Sequence, residues 1–324
     1  MYRQFYNLAQ HPFEISPDPH FFFPTAQHHE ALASIYHGVL RRRGFVVVTG
    51  EVGTGKTLLV RCLLDLLRRQ QISSATVFNP RLTPDEFLRY VLTDFGIKLA
   101  GIDRSDKGSL LSELNRYLLA RHGANSTTVL VVDEAQHLSS EVLEEIRLLT
   151  NLETPRQKLL QIVLAGQPEL EQKLDSPQLR QLKQRVAFRC RLVPLSEEET
   201  KGYILRRLQR AGANSNAGTI FPDPTIEAVY RHSKGIPRLI NTICENALIA
   251  AYALRATSVP VEAVDEVASD LRLNVTVMPA LPAPPAEGSP QAVAKSVLQL
   301  IEALEHLAQG PDLQHQTTEA GVKA

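Results

Sequence analysis

Residues 44–64 read GFVVVTGEVGTGKTLLVRCLL: an apolar run, a glycine-rich break, then apolar residues at helical spacing. No other stretch narrows the possible folds as far. FVVV suits a short strand covered on both faces, and the segment after Lys56 repeats apolar residues every three or four positions. The break, GEVGTGKT at 50–57, fits G-x-x-x-x-G-K-[ST] with Gly50, Gly55, Lys56 and Thr57 in register. Glycines let the main chain approach phosphate oxygens closely, so successive N–H groups can point inward. The candidate cradle is therefore Gly50, Glu51, Val52, Gly53, Thr54 and Gly55, with Lys56, Thr57 and Leu58 opening the helix. The positive end of that helix adds to the attraction for an anion. With ATP bound, Lys56 would reach the β- and γ-phosphates and the Thr57 hydroxyl would ligate Mg²⁺.

Hydrolysis of a nucleotide also requires an acid that organises Mg²⁺ and a group that directs the attacking water. The segment VLVVDEAQ ends an apolar strand on such a pair. Asp133 is the expected Mg²⁺ partner and Glu134 the expected base.

Strand and helix patterns alternate along residues 44–195. After FVVV come ATVFNP (75–80), TTVLVVDEAQ (127–136), LLQIVLAGQ (159–167) and VAFRCRLVPL (186–195), the last with the alternation of a strand near an edge. This order predicts a doubly wound α/β domain with parallel strands. Helix starts are also legible: Thr83 with Pro84 and Glu86, and Ser196 with Glu199, form two predicted capping boxes. From 196 to 273 only helical patterns appear, which predicts a separate small helical domain. Residues 1–43 form an aromatic and helical lead-in, and 274–290 a proline-rich linker. An amphipathic helix follows at 291–309, its stripe of Val293, Val297, Leu300, Leu304 and Leu307 suiting a coiled-coil seam or a docking face. The tail 310–324 reads as disordered.

Bulk properties exclude several classes. Among 324 residues, 35 basic side chains meet 35 acidic ones, so no global field advertises a nucleic acid or an anionic membrane. Cys62, Cys190 and Cys244 are odd in number, widely spaced and without a CxxC pair, reading as small hydrophobes in a reducing compartment. The N-terminus lacks the pattern of a signal peptide. ALIAAYAL at 247–254 falls far short of the ~20 apolar residues that cross a bilayer. The expectation is a soluble cytoplasmic protein without direct membrane insertion, peripheral at the inner membrane only through a partner.

PFEISPDPHFFF with HHEAL, GFVVVTGEVGTGKT, DEAQHL, LAGQPEL, LKQRVAFRCRLVPL and GIPRLIN together resemble the AAA+ ATPases of the general secretion pathway protein A (ExeA-type) family, over roughly residues 1–272. That resemblance implies a P-loop NTPase fold of AAA+ type, with a five-stranded parallel sheet of order 5-1-4-3-2 and a C-terminal helical lid. It also implies Gln167 as the polar sensor near the γ-phosphate and Arg238 of GIPR as the sensor in the lid. For the arginine finger inserted into a neighbour's site it leaves Arg185 and Arg180 both open, and either role requires a homo-oligomer.

Family members continue into a membrane-spanning segment and a peptidoglycan-binding domain. This sequence shows a linker and one helix instead, which suggests a soluble form lacking those regions. The leading expectation is a Mg²⁺-dependent oligomeric ATPase that drives assembly of a secretion or pilus system through a protein partner. A DNA-binding ATPase similar to transposition helpers is the alternative, its basic surface drawn from residues 41–43, 68–69 and 205–210. A slow nucleotide switch is the third. Phe13 and Phe21 to Phe23 are expected beside the adenine or as a plug on the sheet edge, and His28 and His29 as helix caps or surface residues.

Overall fold

The computed structural model describes residues 2–78, 81–99, 106–213 and 216–273, all within one unit, Met1–Asn274. The expected linker at 274–290, helix at 291–309 and tail at 310–324 lie outside the described residues.

Five strands carry the fold: β1 (Phe45–Gly50), β2 (Ser73–Val77), β3 (Thr128–Val132), β4 (Leu160–Gly166) and β5 (Phe188–Leu192). All pair in parallel, in the order β2-β3-β4-β1-β5. This is the order implied by the resemblance, read from the opposite edge. The apolar runs sit where both faces are covered: every residue of β1, β3 and β4 is buried. β5 alternates because it is an edge strand paired only with β1. β2 starts and ends earlier than the sequence pattern suggests. Ser73 and Ser74 join the ladder to β3, and the chain leaves it after Val77, whose carbonyl accepts the Asp133 N–H at 2.9 Å.

Along the sheet run α2 (Ala26–Leu40), α3 (Lys56–Arg69), α4 (Pro84–Asp94), α5 (Lys107–Gly123), α6 (Ser140–Leu149), α7 (Pro168–Leu174) and α8 (Arg180–Lys183); a short α1 (Tyr2–Phe5) precedes them. The period-two alternation of strand side chains divides the core. Val46, Val48, Val131 and Val163 meet Ile35, Val39, Leu59 and Leu63 of α2 and α3 on one face. Phe45, Val47, Leu130 and Leu164 meet Phe87, Leu114 and Ile146 on the other. Each such side chain contributes about 1.5–3 kcal/mol on full burial.

After β5 come α9 (Glu197–Leu208), α10 (Ala217–Ile220), α11 (Asp223–Ser233), α12 (Pro237–Ala253) and α13 (Val261–Asp270), with no strand among the described residues. Both predicted capping boxes are formed, at Thr83–Glu86 and Ser196–Glu199. The helical core gathers Ile204, Phe221, Ile240, Ile243 and Leu248, and it also takes Tyr2, Tyr6, Phe13 and Phe21 from the start of the chain. The lead-in segment thus completes the lid as well as leading into the sheet.

Phe22 packs instead against the α2–α3 cluster. Cys244 is buried and Cys62 and Cys190 half-buried, all as free thiols. No helix among the described residues is long and apolar enough to cross a membrane.

Candidate functional site

β1 and α3 are joined by the loop at 50–57, and β3 ends beside it on the same edge of the sheet. The two motifs, 76 residues apart in the chain, meet where the Thr57 hydroxyl donates to Asp133 Oδ2 at 2.8 Å. Asp133 Oδ1 accepts the backbone N–H of Glu134 at 2.9 Å. Lys56 lies buried beneath them, its ammonium donating to the carbonyls of Gly50 at 2.7 Å and Glu51 at 2.9 Å. Burial pulls the Lys56 pKa down, opposed by the charges of Glu134 and Asp133. Burial likewise raises the Asp133 carboxyl, with the Thr57 hydrogen bond acting the other way. Burial makes both ionised groups costly, and a phosphate beside Lys56 or a cation beside Asp133 would offset that cost.

Glu134 adopts left-handed backbone angles, φ 52° and ψ 36°. Its carboxylate accepts from the Gln136 side-chain amide at 2.6 Å and from the Gln167 amide at 3.4 Å. Gln136 in turn accepts the Gln167 backbone N–H at 3.0 Å, tying the end of β3 to the end of β4. Gln136 escaped the sequence reading. It stands within DEAQ, but nothing in the order of residues says that its amide turns back onto Glu134.

From the lid, the start of α12 lies against the loop. The Arg238 N–H donates to the Gly53 carbonyl at 3.2 Å. Gly53 has φ +83°, and a Cβ there would come within 2.7 Å of Arg238 Cβ, so both backbone angle and contact require glycine. The Arg238 side chain faces a cavity of about 410 Å³. That cavity is lined by Val52, Gly53, Gly55, Lys56, Thr57 and Leu58 of the loop, by Glu134 and Gln167, by Tyr203, Arg207, Pro237, Arg238 and Asn241 of the lid, and by Ile15 to Asp18. Its size falls in the range of small-molecule sites.

None of the phenylalanines singled out in the sequence lines it. Phe13 and Phe21 are drawn into the lid core, and Phe23 stands edge-on to Tyr203 at 6.0 Å. The residues between them, Ile15 to Asp18, take the place expected of the aromatics. Beside them in the cavity lining is Arg207, only 4% exposed. It donates to the Pro12 carbonyl, to the Tyr203 hydroxyl at 2.9 Å and to the Glu14 carbonyl at 3.3 Å, and its guanidinium stacks 4.7 Å from the Phe21 ring. The Tyr203 hydroxyl donates onward to Asn241 at 2.9 Å.

Neither Arg185 nor Arg180 lines the cavity. Arg185 donates to the Thr150 hydroxyl at the end of α6, and Arg180 is exposed at the start of α8. Residues 41–43 and 68–69 follow α2 and close α3, beside the starts of β1 and β2, whereas 205–210 belongs to the lid that follows the end of β5. Arg207 in that last stretch is buried.

A parallel sheet of this order, a phosphate loop between β1 and its helix, acids at the end of β3 and a helical lid define an AAA-type P-loop NTPase fold. Residues 37–174 match the family described as AAA domain. The chain is similar to general secretion pathway protein A of Aeromonas hydrophila, 47% identical over 254 residues. That match covers 78% of this chain and 45% of the relative, so the chain spans under half the relative's length. Among solved structures, Cdc6p from Pyrobaculum aerophilum is similar in fold, with TM-score 0.59 at 16% identity over 83% of this chain and 70% of that one. The Aeropyrum pernix ORC2 protein in its ADP form gives TM-score 0.59 at 13% identity, covering 94% and 89%. The Thermotoga maritima RuvB Holliday junction branch migration motor gives 0.51 at 18% identity, covering 77% and 70%.

Proposed function

We propose that the chain binds ATP with Mg²⁺ in this cavity, hydrolyses it to ADP and phosphate as a homo-oligomer, and thereby drives assembly of an envelope secretion or pilus system. The observation that carries the chemistry is the contact between Thr57 and Asp133, which brings the loop and the acidic pair to one point. Among the described residues no group of three or more His, Cys, Asp or Glu could hold a metal alone. A hydroxyl and one carboxylate fit an ion that takes its remaining ligands from phosphates and water, as Mg²⁺ does. When bound, Mg²⁺ neutralises charge on the phosphates.

The remaining work falls to the chain. Lys56 exchanges its two loop carbonyls for phosphate oxygens. Glu134 accepts a proton from the attacking water, and Gln136 and Gln167 aim its carboxylate. Arg238 couples occupancy of the site to the lid. Arg185, with Arg180 as the other candidate, serves the site of a neighbouring copy. The assembly role rests on the similarity to general secretion pathway protein A. It is favoured over DNA handling because Arg207, within one of the three basic stretches, is buried and not part of an exposed basic surface.

Turnover of Mg²⁺-ATP, measured against protein concentration, tests the reading. Activity should rise more steeply than linearly as oligomers form. Arg185→Ala should be inactive alone and regain turnover when mixed with Glu134→Gln, which supplies an intact arginine to an intact base. Absence of rescue with Arg185→Ala, and its presence with Arg180→Ala, would reassign the finger.

A further inference from the structure

Asn241 lies on α12 three residues after Arg238, on the same face of the helix, and is only 6% exposed. It lines the cavity beside Tyr203 and Arg207. The start of α12 is held at the phosphate loop by the bond from the Arg238 N–H to the Gly53 carbonyl. Nearly one turn of helix carries Asn241 about 4.5 Å further along the axis, away from that loop.

A relay of hydrogen bonds fixes which end of the Asn241 carboxamide faces the cavity. A guanidinium can only donate. Arg207 Nη1 therefore donates to the Tyr203 hydroxyl at 2.9 Å, and the proton of that hydroxyl goes to Asn241 Oδ1 at 2.9 Å. Burial raises the Tyr203 pKa, which keeps that proton in place. The reverse orientation of the amide would leave the tyrosine proton without its acceptor. Asn241 Nδ2 thus points away from Tyr203, and no described residue accepts from it. The buried side-chain atoms that lack a partner among the described residues are Arg121 Nε, Thr128 Oγ1 and Thr200 Oγ1. Asn241 Nδ2 is therefore reached from solvent, and in a residue so buried the opening is the cavity that it lines.

We propose that Asn241 reads the base of the nucleotide, its amide donating to an unprotonated ring nitrogen of the purine, with Tyr203 and Arg207 as the positioning residues that hold it so. This rests on the nucleotide reading above. The phosphate loop claims one end of the cavity, so the nucleoside falls to the end lined by Tyr203, Asn241 and Ile15 to Asp18. With its oxygen engaged by Tyr203, Asn241 offers donors alone, which suits an atom that only accepts. Ribose hydroxyls both donate and accept, and either end of the amide would serve them; a ring nitrogen is served by this end only.

The test titrates the full chain and Asn241→Leu with ATP and with its 1-deaza, 3-deaza and 7-deaza analogues, each of which replaces one ring nitrogen by C–H. The parent should bind one of the three about tenfold more weakly than ATP, the worth of one hydrogen bond. In Asn241→Leu that ratio should fall to about one, because the donor that reads the nitrogen is gone. A merely structural role would weaken all four ligands alike and preserve the ratio, which overturns the proposal, as does a parent that binds every analogue as tightly as ATP. Discrimination against 2′-deoxy-ATP that disappears in Asn241→Leu would place the donor on the ribose and likewise overturn it. Tyr203→Phe, which frees the amide to turn, should reduce the ratio to about threefold, and an undiminished ratio overturns the relay. If Asn241→Leu does not fold, Asn241→Asp takes its place and is read the same way, since it keeps the oxygen that accepts from Tyr203 and has no amide donor. A parent chain that binds no ATP would instead defeat the reading of the site.

Discussion

The two ends of the cavity are built differently. The phosphate end uses contiguous residues at the tips of buried strands, and its geometry follows from the main chain: loop carbonyls around Lys56, one hydroxyl on one carboxylate, a helix start below. The lid end is assembled from positions as far apart as Pro12, Tyr203, Arg207, Arg238 and Asn241, linked through side chains. Chemistry that must be exact is placed at the tips of buried strands, and enclosure is left to side chains drawn from separate parts of the chain. If that division is right, damage at the phosphate end should abolish turnover, while damage at the lid end should weaken binding and loosen the fold.

The largest effect is expected at Glu134. Replacing it by glutamine removes the proposed base but keeps the shape, so kcat should fall about 10³-fold while ATP binds as before. Parental turnover in that variant would show that the acid pair does not direct the water. Next comes Lys56→Ala, which removes the buried ammonium: Kd for ATP should rise about 100-fold, read by titration with a fluorescent analogue. An affinity within a few-fold of the parent would move the phosphates away from the loop.

These phosphate-end residues were legible in the sequence because their spacing is local. GEVGTGKT and VVDEAQ carry residue type and position together, and the buried β1, β3 and β4 announce themselves as apolar runs. Gln136 was not legible as the partner of Glu134, since that contact depends on the direction in which one side chain turns. Phe13 and Phe21 illustrate the same limit. Their apolar character was plain, but whether they faced a ligand or a core depended on where the lid folds, and Ile15 to Asp18 took the cavity wall. Arg207 looked like part of a basic surface because RRLQR reads as exposed. Carbonyls from Pro12 and Glu14, nearly 200 positions earlier in the chain, bury it instead.

Arg207 sharpens the comparison from the lid side. Arg207→Met keeps length and apolar contact with Phe21 but leaves two carbonyls and a tyrosine hydroxyl without their donor. A loss of about 1–3 kcal/mol is expected, which for a chain of this size lowers Tm by roughly 5 °C. ATP affinity should weaken about tenfold with kcat at saturation within about threefold, because the lost support acts on binding throughout the reaction. If affinity held while Tm fell, the lid end would be structural and the ligand would be held by the phosphate end alone.

The smallest effect carries the sharpest sign. Burial raises the Asp133 carboxyl above the usual carboxylate range, so the folded chain prefers the protonated acid more than the unfolded chain does. With the folded pKa above the unfolded one, stability falls as pH rises from the unfolded value through the folded value, and at neutral pH the whole penalty is present. Asp133→Asn removes the charge at constant shape. Its oxygen can accept the Glu134 N–H, and its amide can donate to the Thr57 hydroxyl oxygen. Without ligand the variant should therefore melt about 2 °C higher than the parent at pH 7, and that gain should shrink as pH is lowered through the carboxylate range. Added Mg²⁺-ATP should reverse the ranking, since only the parent retains the carboxylate that offsets the ion. A variant less stable than the parent without ligand would mean that Asp133 holds the loop together, and the phosphate end would then resemble the lid end in being structural first.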